Sequence, residues 1–219
     1  SLTFMAKWDE KQASSCHIHI SLADAVGGNA FASDQEMFEH FVAGQLEHTL
    51  EMTLLYAPQI NSYKRFAEGS FAPTAVTWGK DNRTCSFRVV GHGEGLRVEN
   101  RLPGADVNPY LAISAMIAAG LDGIDRKLTL PPACEGNAYV SDAERVPTNM
   151  YAARDLFRDS PLANEAFGEE IAIDRGQMPY SDPRCGVIKA ARYHNLLIPL
   201  DAQGEPMAQS GRTILECSR

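Results

Sequence analysis

Polar side chains, two of them histidines, recur at every second position in one short segment of the chain. Over residues 16–22, His17, His19 and Ser21 alternate with apolar residues. A period of two is typical of a β-strand, so these three polar side chains share one face. Such a face either meets solvent, as in many antiparallel sheets, or carries partners that satisfy its polar groups, such as a metal ion. The segment alone leaves both interpretations open.

A second segment repeats this pattern with charged residues. Over residues 96–102, Arg97, Glu99 and Arg101 share one face, and Arg65, Arg83 and Arg88 precede them in the sequence. Guanidinium groups bind carboxylate and phosphate oxygens through paired hydrogen bonds. The alternative, arginines scattered over the surface for solubility, is less favoured because the chain as a whole is acidic.

Together the two segments suggest phosphoryl-transfer chemistry. Histidines on a strand, with a glutamate nearby, suit a divalent cation, and phosphate-binding arginines favour Mg²⁺ or Mn²⁺ over zinc. Metal ions and arginines neutralise the charge that develops on a phosphoryl group in transfer. The sequence contains no P-loop and no dinucleotide-binding glycine motif, so the nucleotide is held in another way.

The elements that position these residues follow from periodicity and capping. Strands are predicted at 16–22 and 96–102, and a hairpin is predicted from strands 74–78 and 84–90 around a polar turn. One long helix is expected over 34–56, capped by Asp34, and another from Asn108 through Ile124, with Pro109 in its first turn. Two short helices are expected near 148–157 and 161–170, and beyond residue 171 no element is assigned.

Bulk properties exclude several classes of protein. The chain has 219 residues, enough for one sizeable domain, and its net charge of -8 argues against nucleic acid as a partner. No apolar run reaches the roughly 20 residues that span a membrane, and no signal peptide is evident. The five cysteines include no CxxC pair, which favours a reducing, cytoplasmic setting.

Four motifs, in order, resemble those of glutamine synthetases. They are SCHIHISL at 15–22, NSYKR at 61–65, DNRTCSFR at 81–88, and RVENRLP at 97–103 followed by NPYL at 108–111. The resemblance implies an α+β fold: a partial glutamine synthetase/guanido kinase-type catalytic domain with an antiparallel curved sheet backed by helices. It covers residues 1–170 as the C-terminal portion of that domain and leaves 171–219 as a tail outside the family.

The same resemblance implies a role for each candidate residue. His17 and Glu99 would bind the Mg²⁺ or Mn²⁺ ion that bridges the nucleotide phosphates. The substrates would be held by the other residues: His19 and Ser21 against ATP, Arg65 and Arg101 on the carboxylates of glutamate, and Arg83, Arg88 and Arg97 at the phosphates of ATP and of γ-glutamyl phosphate.

One departure from the family concerns the nucleophile. The family's mobile flap carries a glutamate that binds and deprotonates ammonium, whereas residues 68–73 read EGSFAP and place Phe71 at that position. Phenylalanine cannot pair with ammonium but can pack against the carbon chain of an amine. The resemblance therefore favours an ATP-dependent glutamate–amine ligase, with a true ammonia-using glutamine synthetase as an alternative.

A second departure concerns completeness. By the family's standard the chain lacks the small N-terminal domain and the first half of the catalytic domain, which supplies most of the metal-binding glutamates. Family members form homo-oligomeric rings, which this chain alone is not expected to form. A further alternative is therefore an inactive fragment that retains only a nucleotide-binding or subunit-binding surface.

Overall fold

A five-stranded sheet forms the centre of the fold. The computed structural model describes residues 3–11, 13–168 and 214–216. The strands are β1 (His17–Ile20), β2 (Trp78–Lys80), β3 (Phe87–Val90), β4 (Arg97–Asn100) and β5 (Ile214–Glu216), in the spatial order β2-β3-β4-β1-β5. Apart from β5, the predicted tail at 171–219 lies outside the described residues, and its assignment stays a prediction.

The register of the sheet aligns the predicted polar faces. β1 and β4 are antiparallel with His19 opposite Glu99, and β3 and β4 are antiparallel with Arg88 also opposite Glu99. β5 pairs antiparallel with the other edge of β1. Because side chains alternate across a strand, this register places the polar side chains of three neighbouring strands on one face.

The predicted hairpin is wrong, because β2 and β3 pair in parallel. After β2 the chain passes through Asp81, with φ of 50°, and through a turn in which the Asn82 side chain accepts hydrogen bonds from Thr84 N and Oγ1. This return segment carries the chain back to the start of β2 before β3 begins. The sheet is therefore mixed, and the α+β class holds while the wholly antiparallel sheet does not.

Six α-helices accompany the sheet in the described part of the chain. Asn108 caps α4 by accepting from Tyr110 N and Leu111 N, and Pro109 occupies its first turn as predicted. Asp34 caps α2 through Met37 N. The helices are α1 (Ala30–Ser33), α2 (Gln35–Glu47), α3 (Thr49–Tyr56), α4 (Pro109–Asp125), α5 (Met150–Asp159) and α6 (Pro161–Phe167).

The single helix predicted over 34–56 is also wrong, because it divides at His48 into α2 and α3. Side-chain contacts explain the division. His48 Nδ1 lies 2.5 Å from Glu51 Oε1, and His48 Nε2 lies 2.6 Å from Asp122 Oδ2 on α4. These two contacts hold the imidazole against α4 at the residue where α2 ends and α3 begins.

The apolar core joins the helices to the inner face of the sheet. Close approach of α2 and α4 depends on glycine: a Cβ atom at Gly44 would lie 2.1 Å from the carbonyl oxygen of Ala119. The core residues of the sheet include Ile18, Phe87 and Val98, each fully buried. No helix within the described ranges is long and apolar enough to cross a membrane.

Candidate active site

The polar face of β1, β3 and β4 forms an ion cluster centred on Glu99. Glu99 Oε1 lies 2.9 Å from His17 Nδ1 and accepts a 2.8 Å hydrogen bond from Arg101 Nη1, and Glu99 Oε2 accepts a 3.0 Å bond from Arg88 Nη1. Arg88 is held in turn by Asp81, through a 2.9 Å bond from Nε. The structure thus brings together four of the residues that the sequence predicted.

Burial gives this cluster its electrostatic strength. Only 3% of Glu99 is exposed. Burial opposes ionisation of the carboxyl group, but the hydrogen bond from His17, the charge of Arg101 and the bond from Arg88 outweigh it and lower the pKa of Glu99 to about 2. Burial likewise lowers the pKa of Arg101, while Glu99 opposes that shift. Glu99 is therefore a carboxylate at neutral pH, surrounded by cationic donors.

His19 and Arg97 extend the cluster along the same face. Arg97 Nε donates to His19 Nδ1 at 3.2 Å, and Arg97 Nη1 donates to the carbonyl oxygen of Gly95 at 3.0 Å. Because Nδ1 of His19 accepts a hydrogen bond, it carries no proton in this arrangement. Ser21 lies just beyond the end of β1 and is half-buried.

Arg101 connects the cluster to two loops. Its Nε donates to the carbonyl oxygen of Arg83 at 3.1 Å, and its Nη2 donates to that of Phe71 at 3.4 Å. The Arg83 side chain is exposed and lines an open cavity of about 630 Å³ together with Lys80 and Cys134. Arg83 and Phe71 thus border the cluster through their backbones, with their side chains free of the core.

Arg65, which is predicted to bind a carboxylate of glutamate, lies in a buried position next to the cluster. It is only 1% exposed, and its Nη1 donates to the carbonyl oxygen of Leu102 at 2.8 Å. Burial lowers the pKa of Arg65 to about 10, opposed by the nearby carboxylate of Asp106 and reinforced by the charge of Arg101. Arg65 therefore lies next to the cluster without a direct contact to Glu99.

Two neighbouring residues were not singled out by the sequence. The Tyr139 hydroxyl donates to the carbonyl oxygen of Ala72 at 3.1 Å, and Asp106 accepts from Ser62 Oγ at 2.6 Å. Asp106 lies in an irregular segment and Tyr139 in a three-residue 3₁₀ helix, where neither strand nor α-helix periodicity marks a residue. Of the two, only Asp106 could have been suspected from the sequence, because it closely follows the RVENRLP motif.

The donor set fits a divalent cation only in part. His17 and Glu99 lie in contact, but the described residues contain no group of three or more His, Cys, Asp or Glu side chains able to hold a metal ion. Glu99 is also paired with two arginines. Mg²⁺ prefers octahedral oxygen coordination, so water, nucleotide phosphates or further protein groups must complete such a site.

The fold and the cluster define a class of protein. The family model described as "Glutamine synthetase, catalytic domain" matches residues 1–174. The chain therefore belongs to the glutamine synthetase family.

Relatives within the family identify the branch it resembles. The chain is 60% identical over 174 residues to gamma-glutamylethanolamide synthetase GlnA4 of Streptomyces coelicolor, covering 78% of this chain and 38% of the relative. It is 41% identical over 187 residues to glutamate–isopropylamine ligase of a Pseudomonas species, covering 80% of this chain and 41% of that protein.

A solved structure shares the fold. The structure titled "GmaS/ADP complex-Conformation 1" aligns with a TM-score of 0.69 and 31% identity, over 75% of this chain and 41% of that chain. The chain thus spans about two fifths of the length of the relatives it matches.

Proposed function

We propose that the protein is an ATP-dependent ligase that joins the γ-carboxylate of glutamate to an organic amine through γ-glutamyl phosphate. The observation that carries the proposal is the position of Arg101, which joins the buried ion cluster to the backbone of Phe71. The arginine-lined cluster is thereby joined to the loop that carries the exposed Phe71 side chain. The names of two relatives, an ethanolamide synthetase and an isopropylamine ligase, support the same reaction class.

The reaction divides into two steps. The γ-carboxylate oxygen of glutamate attacks the γ-phosphorus of ATP, the bond to the β-phosphate oxygen breaks, and ADP leaves. The amine nitrogen then attacks the acyl carbon, the bond from carbon to the phosphate oxygen breaks, and the nitrogen loses a proton as inorganic phosphate leaves. Both steps pass through anionic centres, which suit an arginine-lined site.

Residues of the cluster have separate tasks in these steps. Arg83, Arg88 and Arg97 neutralise the charge of the phosphates, and His19 with Ser21 faces the nucleotide. Arg101 binds a carboxylate of glutamate, and Arg65 supports this binding from its adjacent buried position. His17 and Glu99 would hold Mg²⁺ or Mn²⁺, which when bound neutralises phosphate charge.

Phe71 favours an organic amine over ammonia. Its ring is 73% exposed, so it is available to pack against the carbon chain of a substrate. A phenyl group cannot accept a proton from ammonium or form an ion pair with it. Burial of even a few methylene groups contributes about 0.8 kcal/mol each, which ammonia cannot gain.

The inactive-fragment alternative keeps the nucleotide surface but predicts no transfer of the glutamyl group.

Trapping of the acyl phosphate tests this proposal. The purified protein, given ATP, glutamate and hydroxylamine, is expected to form γ-glutamyl hydroxamate, which is measured colorimetrically. Arg97→Ala is expected to lower the yield at least tenfold, since a charge-assisted contact to phosphate contributes about 1.5–3 kcal/mol. Arg158→Ala, on the exposed side of α5, is the matched control. ATP-independent hydroxamate, or none at all, would contradict the proposal.

A further inference from the structure

Residues 66–73, here called the Phe71 loop, are fixed from three directions. The loop has a buried base, Ala72, which is 3% exposed, next to the outward-facing ring of Phe71. Its anchors are hydrogen bonds from Ser70 Oγ to the carbonyl oxygen of Arg65 at 2.6 Å, from Arg101 Nη2 to that of Phe71 at 3.4 Å, and from Tyr139 Oη to that of Ala72 at 3.1 Å.

The backbone of this loop is strained at Phe71. Its φ angle is 63°, in the left-handed region that favours glycine, and Gly69 two residues earlier has φ of 73°. A residue with a side chain in this region costs about 1–2 kcal/mol relative to ordinary backbone. Such a conformation persists only where the surroundings fix it, and it is common at functional sites. The anchors of the loop therefore determine where the Phe71 ring lies.

Tyr139 is itself held rigidly. It lies in the short 3₁₀ helix Ala138–Val140, where its backbone N donates to Asn137 Oδ1 at 3.1 Å. The preceding residue, Ala138, is 1% exposed and donates to Thr84 Oγ1 at 2.9 Å. Burial raises the pKa of Tyr139, against the opposing charge of Arg101, so the phenol remains protonated and able to donate. The hydroxyl is thus a fixed point outside the loop.

We propose that Tyr139 is a positioning residue for amine selectivity. Its hydroxyl fixes the carbonyl oxygen of Ala72 and thereby holds the Phe71 ring where the carbon chain of a primary alkylamine packs. This inference rests on the proposed function of the site and adds a residue that acts through the position of Phe71. Loss of the hydroxyl leaves the ion cluster intact but lets the ring move.

Tyr139→Phe separates this role from general stability. The substitution keeps the ring and removes the hydrogen bonds of the hydroxyl to the loop, so the KM for isopropylamine is expected to rise about three- to tenfold. The kcat with isopropylamine, the KM for ATP and the KM for ammonium are expected to stay unchanged. Tyr151→Phe is the matched control, because Tyr151 lies on α5 with its ring against Arg154.

Hydrogen–deuterium exchange gives a readout that needs no activity. In Tyr139→Phe, peptides from the Phe71 loop are expected to exchange faster while those from α4 keep their rates. Unchanged loop exchange overturns the inference whatever the activity, and faster exchange with an unaltered isopropylamine KM overturns its link to selectivity. Absence of glutamyl transfer in the unsubstituted protein refutes the proposed function instead, and loop exchange still decides the contact.

Discussion

Glu99 shows how a single carboxylate organises the site. It is buried, and the register of the sheet brings His17 on β1 and Arg88 on β3 to it, while Arg101 reaches it from the residue after β4. A buried charge is costly unless it is paired, and removing one partner leaves the others uncompensated. Glu99 therefore holds the side chains of Arg88 and Arg101 in place on this face of the sheet.

Glu99→Gln is expected to destabilise the fold at neutral pH by about 3 kcal/mol. Because the folded pKa lies at about 2, below the ordinary 4.5, the carboxylate stabilises the protein above pH 4.5, and this contribution is lost as pH falls towards 2. Urea unfolding at pH 7 and pH 3 measures both effects. Glu165→Gln, at an exposed position, is the control. Equal acid sensitivity in Glu99→Gln and the unsubstituted protein would refute the assignment.

Phe71 offers a test of strain against chemistry. Phe71→Gly removes the ring and relieves the left-handed backbone, whereas Phe71→Ala removes the ring and keeps the strain. The glycine variant is expected to be more stable than the alanine variant by about 1 kcal/mol, while both lose preference for alkylamines to the same extent. Thermal unfolding and amine competition assays measure the two properties. Equal stability of the two variants would contradict the strain.

At the scale of elements, capping and alternation predicted most of what positions the site. The strands at His17–Ile20 and Arg97–Asn100, and the helix that begins at Pro109, are confirmed. Alternation was informative because the two strands present charged residues on one face and core residues on the other. The pairing of β2 with β3 was not predictable, because a turn sequence does not reveal which way the next strand runs.

Contacts between distant segments were equally hidden from the sequence. The division of α2 from α3 depends on Asp122, which lies 74 residues after His48. Tyr139 reaches Ala72 from a 3₁₀ helix of three residues, which is too short for periodicity to mark the residue. The cluster around Glu99 was predictable only because its members follow strand alternation and familiar motifs.

The His48 junction gives a pH prediction for the helices. Burial lowers the pKa of His48, but hydrogen bonds and charges from Glu51 and Asp122 outweigh it and raise the pKa above 6.5. The other charged groups facing the junction are Arg126, which pairs with Asp122, and Glu47, which lies 3.8 Å from Arg126. A raised folded pKa means that this stabilisation is fully present below pH 6.5 and is lost as pH rises through the folded value.

His48→Gln is therefore expected to lower the free energy of unfolding at pH 6 by about 1–3 kcal/mol and to have a smaller effect at pH 9. Urea unfolding at the two pH values measures the difference. His92→Gln, at an exposed position, is the control. A destabilisation that is equal at both pH values would contradict a charged interaction of His48 with Glu51 and Asp122, and packing alone would then explain the loss.

At the scale of the whole molecule, a locally cationic face lies within an acidic protein. The net charge is -8, yet Arg88 and Arg101 both pair with Glu99, and Arg97 extends the same face through its hydrogen bond to His19. Such a local field attracts small phosphates without favouring nucleic acid, which needs an extended basic surface. The chain spans about two fifths of its relatives, and the expectation that it does not form the family's ring by itself stays a prediction.

Nucleotide binding is expected to stabilise the chain. ADP with Mg²⁺, at 100 times its Kd, should add about 2.7 kcal/mol to the free energy of unfolding. Differential scanning calorimetry with and without ADP measures the effect. Arg97→Ala should lose most of it, and Arg158→Ala should keep it. No stabilisation at saturating ADP would refute the nucleotide face that both the ligase and the inactive-fragment hypotheses require.

Phosphate release with a panel of nucleophiles tests the central claim most directly. The purified protein, with ATP and glutamate at saturation, is assayed with isopropylamine, ethanolamine and ammonium at matched concentrations of the free base. We predict amine-dependent phosphate release and γ-glutamyl amide formation with at least one organic amine, at a higher kcat/KM than with ammonium. Equal or greater kcat/KM with ammonium would contradict it.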